Sequence, residues 1–259
     1  LFPIPYSLFP MKQLKKPDFL IIGTQKGGTN SLYNYLIQHP KVAPASSKEI
    51  HYFDFNFDKG LDWYQSQFAD VASDIITGEG SPYYLYHPLV PPRVYDLAPE
   101  VKLIILLRSP TDRVISHYYW EVRIGCESLS LAEAIAAEST RLAGETEKIL
   151  NEGTYYSFNH QHYSYLARGI YIEQLLNWMK FFPREQFLIL KSEDFFNCPP
   201  ATMEKVEQFL ELPPHKLDDY IPYNQNDYPP VSEAIYRELT EYFLPYNRRL
   251  SEELGIDFF

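Results

Sequence analysis

The run KLIILL (102–107), set in VKLIILLRSP (101–110), constrains this chain more than any other stretch. A strand apolar on both faces must be covered on both faces, which suits a parallel sheet packed between helices. FLIIG (19–23), DIITGEGSPYY (74–84) and QFLILKSEDF (186–195) read as further strands, the second running into a turn. Helical patterns fall at 28–38, 61–68, 91–99, 111–123, 130–150, 163–182 and 200–212. Residues 232–255 read as one long helix or a pair broken at Pro245, and 47–54 as extended chain or loop. Residues 1–17, interrupted by four prolines, read as an irregular lead-in. Strands alternating with helices predict an α/β fold: a single domain spanning 1–259, with a central parallel sheet flanked by helices. In such sheets ligands bind beyond the carboxyl ends of the strands. That rule draws attention to GTQKGGT (23–29), RSPTDR (108–113) and KSED (191–194).

Charge and cysteine usage narrow the function classes. A net charge of −11 over 259 residues repels polyanions, so nucleic acid is not an expected partner, and a long anionic glycan is disfavoured as substrate. Cys126 and Cys198 form no CxxC pair and have no histidine at metal-ligand spacing, so neither a zinc site nor a disulfide framework is expected. No run of about 18 apolar residues appears, so no membrane span is expected. LFPIPYSLFP lacks a basic region leading into a continuous apolar run, and no signal peptide is expected there; the expected compartment is cytoplasmic. There is no initiator Met, so upstream sequence is not read from this chain. Nothing in the sequence speaks to oligomeric state.

Gly23, Lys26, Gly27, Gly28 and Thr29 lie between a strand and a helix, where backbone N–H groups and the helix N-terminus make an anion site. The ATPase pattern GxxxxGK[ST] puts its lysine after the second glycine. Lys26 instead precedes the glycine pair, so it would lie across the loop. No acid closes KLIILL to hold magnesium, because Arg108 occupies that end. Magnesium-dependent phosphoryl transfer is thereby disfavoured. Arg108 and Ser116, eight residues apart across a strand end and the next helix, make a second anion clamp. The alternative for Arg108 is a structural ion pair with Asp112 or another neighbouring acid. Two anion sites at neighbouring strand ends suit a ligand with phosphates at its 5′ and 3′ positions.

These stretches resemble the sulfotransferases that use 3′-phosphoadenosine 5′-phosphosulfate, with a P-loop-like fold. TQKGGTNS (24–31) is similar to their 5′-phosphosulfate loop and LLRSPTDRVISHY (106–118) to their 3′-phosphate motif. SKEIHYFD (47–54), together with 166–195 and 228–259, resembles the branch containing heparan sulfate sulfotransferases and bacterial natural-product relatives. The likeness spans 17–259 and is weakest over 122–162. It implies that Gln25, Lys26, Gly27, Gly28, Thr29, Asn30 and Ser31 wrap the 5′-phosphosulfate, with Lys26 stabilising the leaving oxygen. It further implies that Arg108 and Ser116 bind the 3′-phosphate, with Arg168, Asn226 and Tyr228 as further cofactor contacts.

Transfer to a hydroxyl or amine needs a base. The resemblance assigns this to Glu49, with His51 either an alternative base or the group that orients Glu49; in extended chain the two point the same way. Lys48, Ser81, Tyr83, His160 and His162 are the substrate-side candidates, with 122–165 a possible acceptor-side flap. No metal is expected. Two departures bear on the acceptor. Gly80 stands where glycosaminoglycan enzymes often carry lysine, and 223–230 lacks their basic loop. The expected function is therefore sulfuryl transfer to a small-molecule or carrier-bound acceptor. The alternatives are a glycan O-sulfotransferase, a nucleotide kinase or ATPase, and a non-catalytic nucleotide-binding domain.

Overall fold

Strand β4 (Lys102–Leu107) lies inside a five-stranded, wholly parallel sheet, as its two apolar faces require. The structure, a computed structural model, describes residues 16–221, 223 and 228–258. Residues 1–15, most of the expected lead-in, lie outside that range, as does Asn226. The first half of the chain runs β1 (Phe19–Gly23), α1 (Thr29–Leu36), β2 (Val42–Pro44), α2 (Leu61–Gln65), β3 (Ile76–Glu79), α3 (Val90–Leu97), β4 and α4 (Pro110–Arg123). The second half runs α5 (Leu131–Leu142), α6 (Glu145–Glu152), α7 (Phe158–His162), α8 (Tyr171–Trp178), β5 (Phe187–Lys191), α9 (Ser192–Asn197), α10 (Pro199–Phe209) and α11 (Glu233–Leu254). The strand order is β2-β3-β1-β4-β5.

Alternation along the strands builds two cores. Leu20, Ile22, Leu103, Ile105 and Leu107 pack with Val90 and Val94 of α3 and Ile172, Leu175 and Trp178 of α8. Phe19, Ile21, Ile104 and Leu106 face the other way, onto Leu32 and Leu36 of α1 and Met203 and Val206 of α10. Each such side chain is fully or almost fully buried, contributing about 1.5–3 kcal/mol. A third cluster joins α4, α5 and α11 through Val114, Ala134, Leu239 and Phe243. No described helix is long and apolar enough to cross a membrane.

Two predicted helices change, one open alternative closes and one strand is new. The predicted helix over 130–150 is two helices, because Gly144 takes φ 74° between them. The predicted helix over 163–182 begins only at Tyr171: the Leu166 and Ala167 amides donate to the Glu138 carboxylate at 2.6 and 2.8 Å instead of to a preceding turn. Helix α11 passes unbroken through Pro245, near the exposed Glu241, so the carbonyl that loses its donor is open to solvent. Strand β2, three residues at the sheet edge, is too short to show a period in the sequence.

Candidate active site

Beyond the carboxyl ends of β1, β3 and β4 lies a cavity of about 640 Å³. The loop after β1 forms one wall. Lys26 turns through φ 71° and Gly28 through φ 99° before α1 begins. A Cβ at Gly27 would meet the carbonyl oxygens of Leu106 and Thr24 at 2.7 and 3.0 Å, and one at Gly28 would meet the Phe196 ring at 2.9 Å. The glycine pair therefore lets this loop lie directly on β4 and α9. Gly27 does not line the cavity. Its amide donates to the Thr24 carbonyl at 2.8 Å and its carbonyl accepts from Ser192 Oγ at 2.8 Å, which corrects its expected place among the ligand contacts.

Arg108 leaves the end of β4 and donates from Nη1 to the Lys26 carbonyl at 3.1 Å. Among the described residues no acid pairs with it, so the alternative of an Arg108–Asp112 ion pair is not what the fold builds. Ser109 caps α4 by accepting from the Asp112 amide, with Pro110 opening the helix. Ser116 and Trp120 then lie one turn apart and both reach the cavity. Lys26 Nζ sits 4.7 Å from the Trp120 ring centroid. Burial, with the neighbouring Arg108 and Arg123 charges, lowers the Lys26 ammonium to about 8.

The second wall is the segment after β2. It is neither strand nor extended: His51 has φ 53°, so it is a turn rather than the pleat that brings Glu49 and His51 together. Lys48 Nζ donates to Glu49 Oε1 at 2.7 Å and to Thr29 Oγ1 at 3.3 Å, linking this wall to α1. His51 bridges two carboxylates, with Nε2 3.2 Å from Glu49 Oε2 and Nδ1 2.8 Å from Asp54 Oδ2. Burial opposes protonation of His51, but Asp54 and Glu49 outweigh it and hold the imidazolium up to about 10. Burial likewise opposes ionisation of Glu49, yet His51 and Lys48 hold its carboxyl at about 2.

Glu79, at the end of β3, organises this segment from behind. It is wholly buried and accepts from the Ile50 amide at 3.1 Å, Ser81 Oγ at 2.6 Å and Tyr84 Oη at 2.7 Å. Burial pushes its carboxyl up, against those donors, to about 7. Ser81 is also fully buried and accepts from the His51 amide at 3.1 Å, so it supports the turn and does not face substrate, contrary to expectation.

The third wall comes from α7 and the turn before α8. Gln161, His162 and Arg168 reach the cavity. Arg168 is buried and donates from Nε to Ser164 Oγ at 2.7 Å and from Nη1 to Gln25 Oε1 at 2.7 Å; Nη2 donates to the His160 and Gln161 carbonyls. It fastens this wall to the lysine loop through Gln25. His160 is displaced from its expected substrate role. It is buried, stacked 4.2 Å from Tyr86, and accepts from Tyr83 Oη at 2.7 Å, and burial lowers it to about 2. His162 Nδ1 donates to Glu121 Oε2 at 2.7 Å. Glu121, Cys126 and His162 place ligand-type atoms within 4.8 Å of one another, the one such group among the described residues.

Gln25, Lys26, Gly28, Thr29, Asn30, Ser31, Lys48, Glu49, His51, Tyr83, Arg108, Ser116, His162, Arg168 and Tyr228 thus share one cavity. Residues not singled out in the sequence also line it: Pro82, Trp120, Glu121, Gln161, Phe196 and Tyr223. The i,i+4 spacing from Ser116 to Trp120 carried a usable signal for one of these; the others depend on tertiary contact.

Comparison with known proteins identifies the family and several relatives. The model of the sulfotransferase domain family matches residues 16–228. Membrane-associated sulfotransferase kil1 of Dictyostelium discoideum is 28% identical over 324 residues, covering 98% of this chain and 69% of that protein. Heparan sulfate glucosamine 3-O-sulfotransferase 5 of Homo sapiens is 30% identical over 263 residues, covering 92% of this chain and 72% of that protein. The crystal structure of a sulfotransferase from Alicyclobacillus acidocaldarius matches with a TM-score of 0.74 at 30% identity, covering 94% of this chain and 97% of that one.

Proposed function

The chain belongs to the sulfotransferase domain family, and on that premise we propose that it moves a sulfuryl group from 3′-phosphoadenosine 5′-phosphosulfate to a hydroxyl or amine of a small-molecule or carrier-bound acceptor. The observation that carries this reading is the joining of two cationic loops. Lys26 and Arg108 meet through the Lys26 carbonyl, with the α1 N-terminus and Ser116 beside them. The donor set fits the nucleotide. Lys26, Arg108, Thr29, Asn30, Ser31 and Ser116 line the cavity with cationic and hydrogen-bond-donating groups of the kind that phosphates and a phosphosulfate require. Thr29, Asn30 and the α1 amides would hold the 5′ end, and Arg108 with Ser116 the 3′-phosphate. Asn226 would be a further contact, and Phe196, Tyr223 and Tyr228 supply ring faces for the base.

The donor supplies an activated S–O bond. Glu49 accepts the acceptor's proton as the new S–O bond forms, and Lys26 stabilises the negative charge left on the departing bridge oxygen as the old one breaks. His51, protonated between Asp54 and Glu49, orients the base. Lys48 lies between Thr29 and Glu49; turning toward the sulfuryl oxygens would release Glu49 to a higher pKa and make it a better base. A cytoplasmic setting belongs to the same proposal and is supported by Cys126 and Cys198 being free thiols.

Titration calorimetry tests the reading directly. Adenosine 3′,5′-bisphosphate is expected to bind, and Arg108→Ala to weaken it about 10- to 100-fold, the loss of a charge-assisted contact worth about 1.5–3 kcal/mol. Binding of Mg-ATP alone would overturn it in favour of a kinase. The pH profile is a second check. Lys26 must carry its proton to stabilise the leaving oxygen, so kcat/KM is expected to fall as pH rises through about 8. Donor anions raise that value in the complex, so the alkaline limb of kcat is expected at higher pH.

A further inference from the structure

The end of helix α4 brings a thiol to a carboxylate. Gly125, at φ 78°, turns the chain back on the helix. The Gly125 amide then donates to the Val122 carbonyl at 3.1 Å, and the Cys126 amide to the Glu121 carbonyl at 2.9 Å. This pair of bonds is the Schellman ending, which sets the residue after the glycine against the last helical turn. Cys126 is thereby placed beside Glu121. Tyr163 donates from Oη to the Cys126 carbonyl at 2.8 Å and so brings its neighbour His162, at the end of α7, to the same spot. Cys126 is half-buried, and one ligand-type atom from each of Glu121, Cys126 and His162 lies within 4.8 Å of the others. The histidine comes from a distant helix, which is why no metal-ligand spacing shows in the sequence.

Two of these side chains are oriented from behind. His117 Nδ1 lies 3.4 Å from Arg113 Nη1, which can only donate. The His117 proton is therefore on Nε2, which donates to Glu121 Oε1 at 3.1 Å. Glu121 Oε2 is left to face His162 Nδ1 at 2.7 Å. With the His162 proton moved to Nε2, Tyr156 Oη accepts it at 3.3 Å and the Nδ1 lone pair is freed. Partners of this kind hold the rings and carboxylates of metal sites in place.

We propose that Glu121, Cys126 and His162 hold a single zinc ion. On binding, the ion takes the place of the proton between Glu121 Oε2 and His162 Nδ1, and the Cys126 thiol gives its proton to water; no electron moves. A carboxylate and a thiolate balance the dication, so the loaded site sets no net charge against Lys26, to which Glu121 is coupled. Zinc bonds of about 2.0–2.3 Å put tetrahedral ligand atoms about 3.5 Å apart, a spacing that small side-chain rotations reach from here. Thiolate and imidazole together select zinc over magnesium and calcium, which take oxygen ligands. Three protein ligands leave a fourth position for water, and it faces the cavity because Glu121 and His162 both line it. The site needs neither the donor nor sulfuryl transfer, so it stands independently of the reading above.

The test uses the whole chain without a histidine tag, stripped with a chelator and titrated with Co²⁺ as the probe. A single Co²⁺ per chain is expected, with a thiolate-to-cobalt charge-transfer band in the near ultraviolet and the strong visible bands of four-coordinate cobalt. Zn²⁺ binds more tightly than Co²⁺ and is expected to bleach both. Cys126→Ser is expected to remove the charge-transfer band, and His162→Gln to keep it while weakening Zn²⁺ binding by about tenfold or more. Cys198→Ser is expected to change neither. Zn²⁺ is expected to raise the melting temperature of the native chain and of Cys198→Ser, but not that of Cys126→Ser. Absence of the charge-transfer band from the native chain, its survival in Cys126→Ser, or unchanged Zn²⁺ affinity in His162→Gln overturns the site.

Discussion

Glu49→Gln is expected to lower kcat by about 10²- to 10⁴-fold, the range for losing a positioned general base, while leaving affinity for adenosine 3′,5′-bisphosphate nearly unchanged. The amide keeps the size of the side chain but only one acceptor oxygen, so either Lys48 Nζ or His51 Nε2 loses its partner at this position. The amide cannot take a proton. His51 does not replace it, because an imidazolium held between Asp54 and Glu49 up to about 10 has no lone pair to offer at neutral pH. In Glu49→Gln one of those carboxylates is gone and the imidazole pKa falls, so a residual rate that rises with pH is expected from His51. Single-turnover sulfation across pH checks both points. A rate within a few fold of the native enzyme would remove Glu49 from the mechanism.

Lys26→Ala is expected to cost about 10²- to 10³-fold in the transfer step, the scale for removing one preorganised donor from a developing oxyanion. The loop should keep its path. Its contacts run through the Thr24 carbonyl, Ser192 and Arg108, all of them to backbone atoms that alanine retains, and φ 71° strains alanine no more than lysine, since both carry a Cβ. Stability and donor binding should therefore fall modestly while transfer falls steeply. Acceptors do not contact Lys26 in this scheme, so acceptor KM is the control. A variant that loses donor affinity and transfer in equal proportion would make Lys26 a binding residue only.

Several parts of the site were legible because local chemistry alone requires them. Gly27 and Gly28 announce a turn where a side chain does not fit, and the Cβ contacts at 2.7 and 2.9 Å give the reason. Lys26 before that pair, with Arg108 at the end of an apolar strand, announces anion binding. The nearness of Glu49 and His51 was read correctly for a different reason: a turn with His51 at φ 53° brings them together where extended chain was expected. Asp54, the third member of that cluster, depends on the same turn and so had no separate signal. Ser81 and His160 carry functional-looking side chains, but both are spent on internal hydrogen bonds.

The sequence by itself determined the sheet, because KLIILL and FLIIG can satisfy neither face unless helices cover both. It also determined that the Lys26 and Arg108 loops each stand at the carboxyl end of a strand, because each follows its strand in the chain; the sheet order then made those strands neighbours. The tertiary structure alone decided what surrounds Glu49. Glu79 lies within a stretch whose sequence gives no measure of depth, and only the packing of Tyr84 and the Ile50 amide around it makes it the buried anchor of the turn from Lys48 to Asp54. The far walls of the cavity were decided the same way. Lys26, Tyr83, Glu121 and Arg168 are far apart in sequence, and charge and contact act over a few ångströms, so their joint effect exists only once the chain has folded.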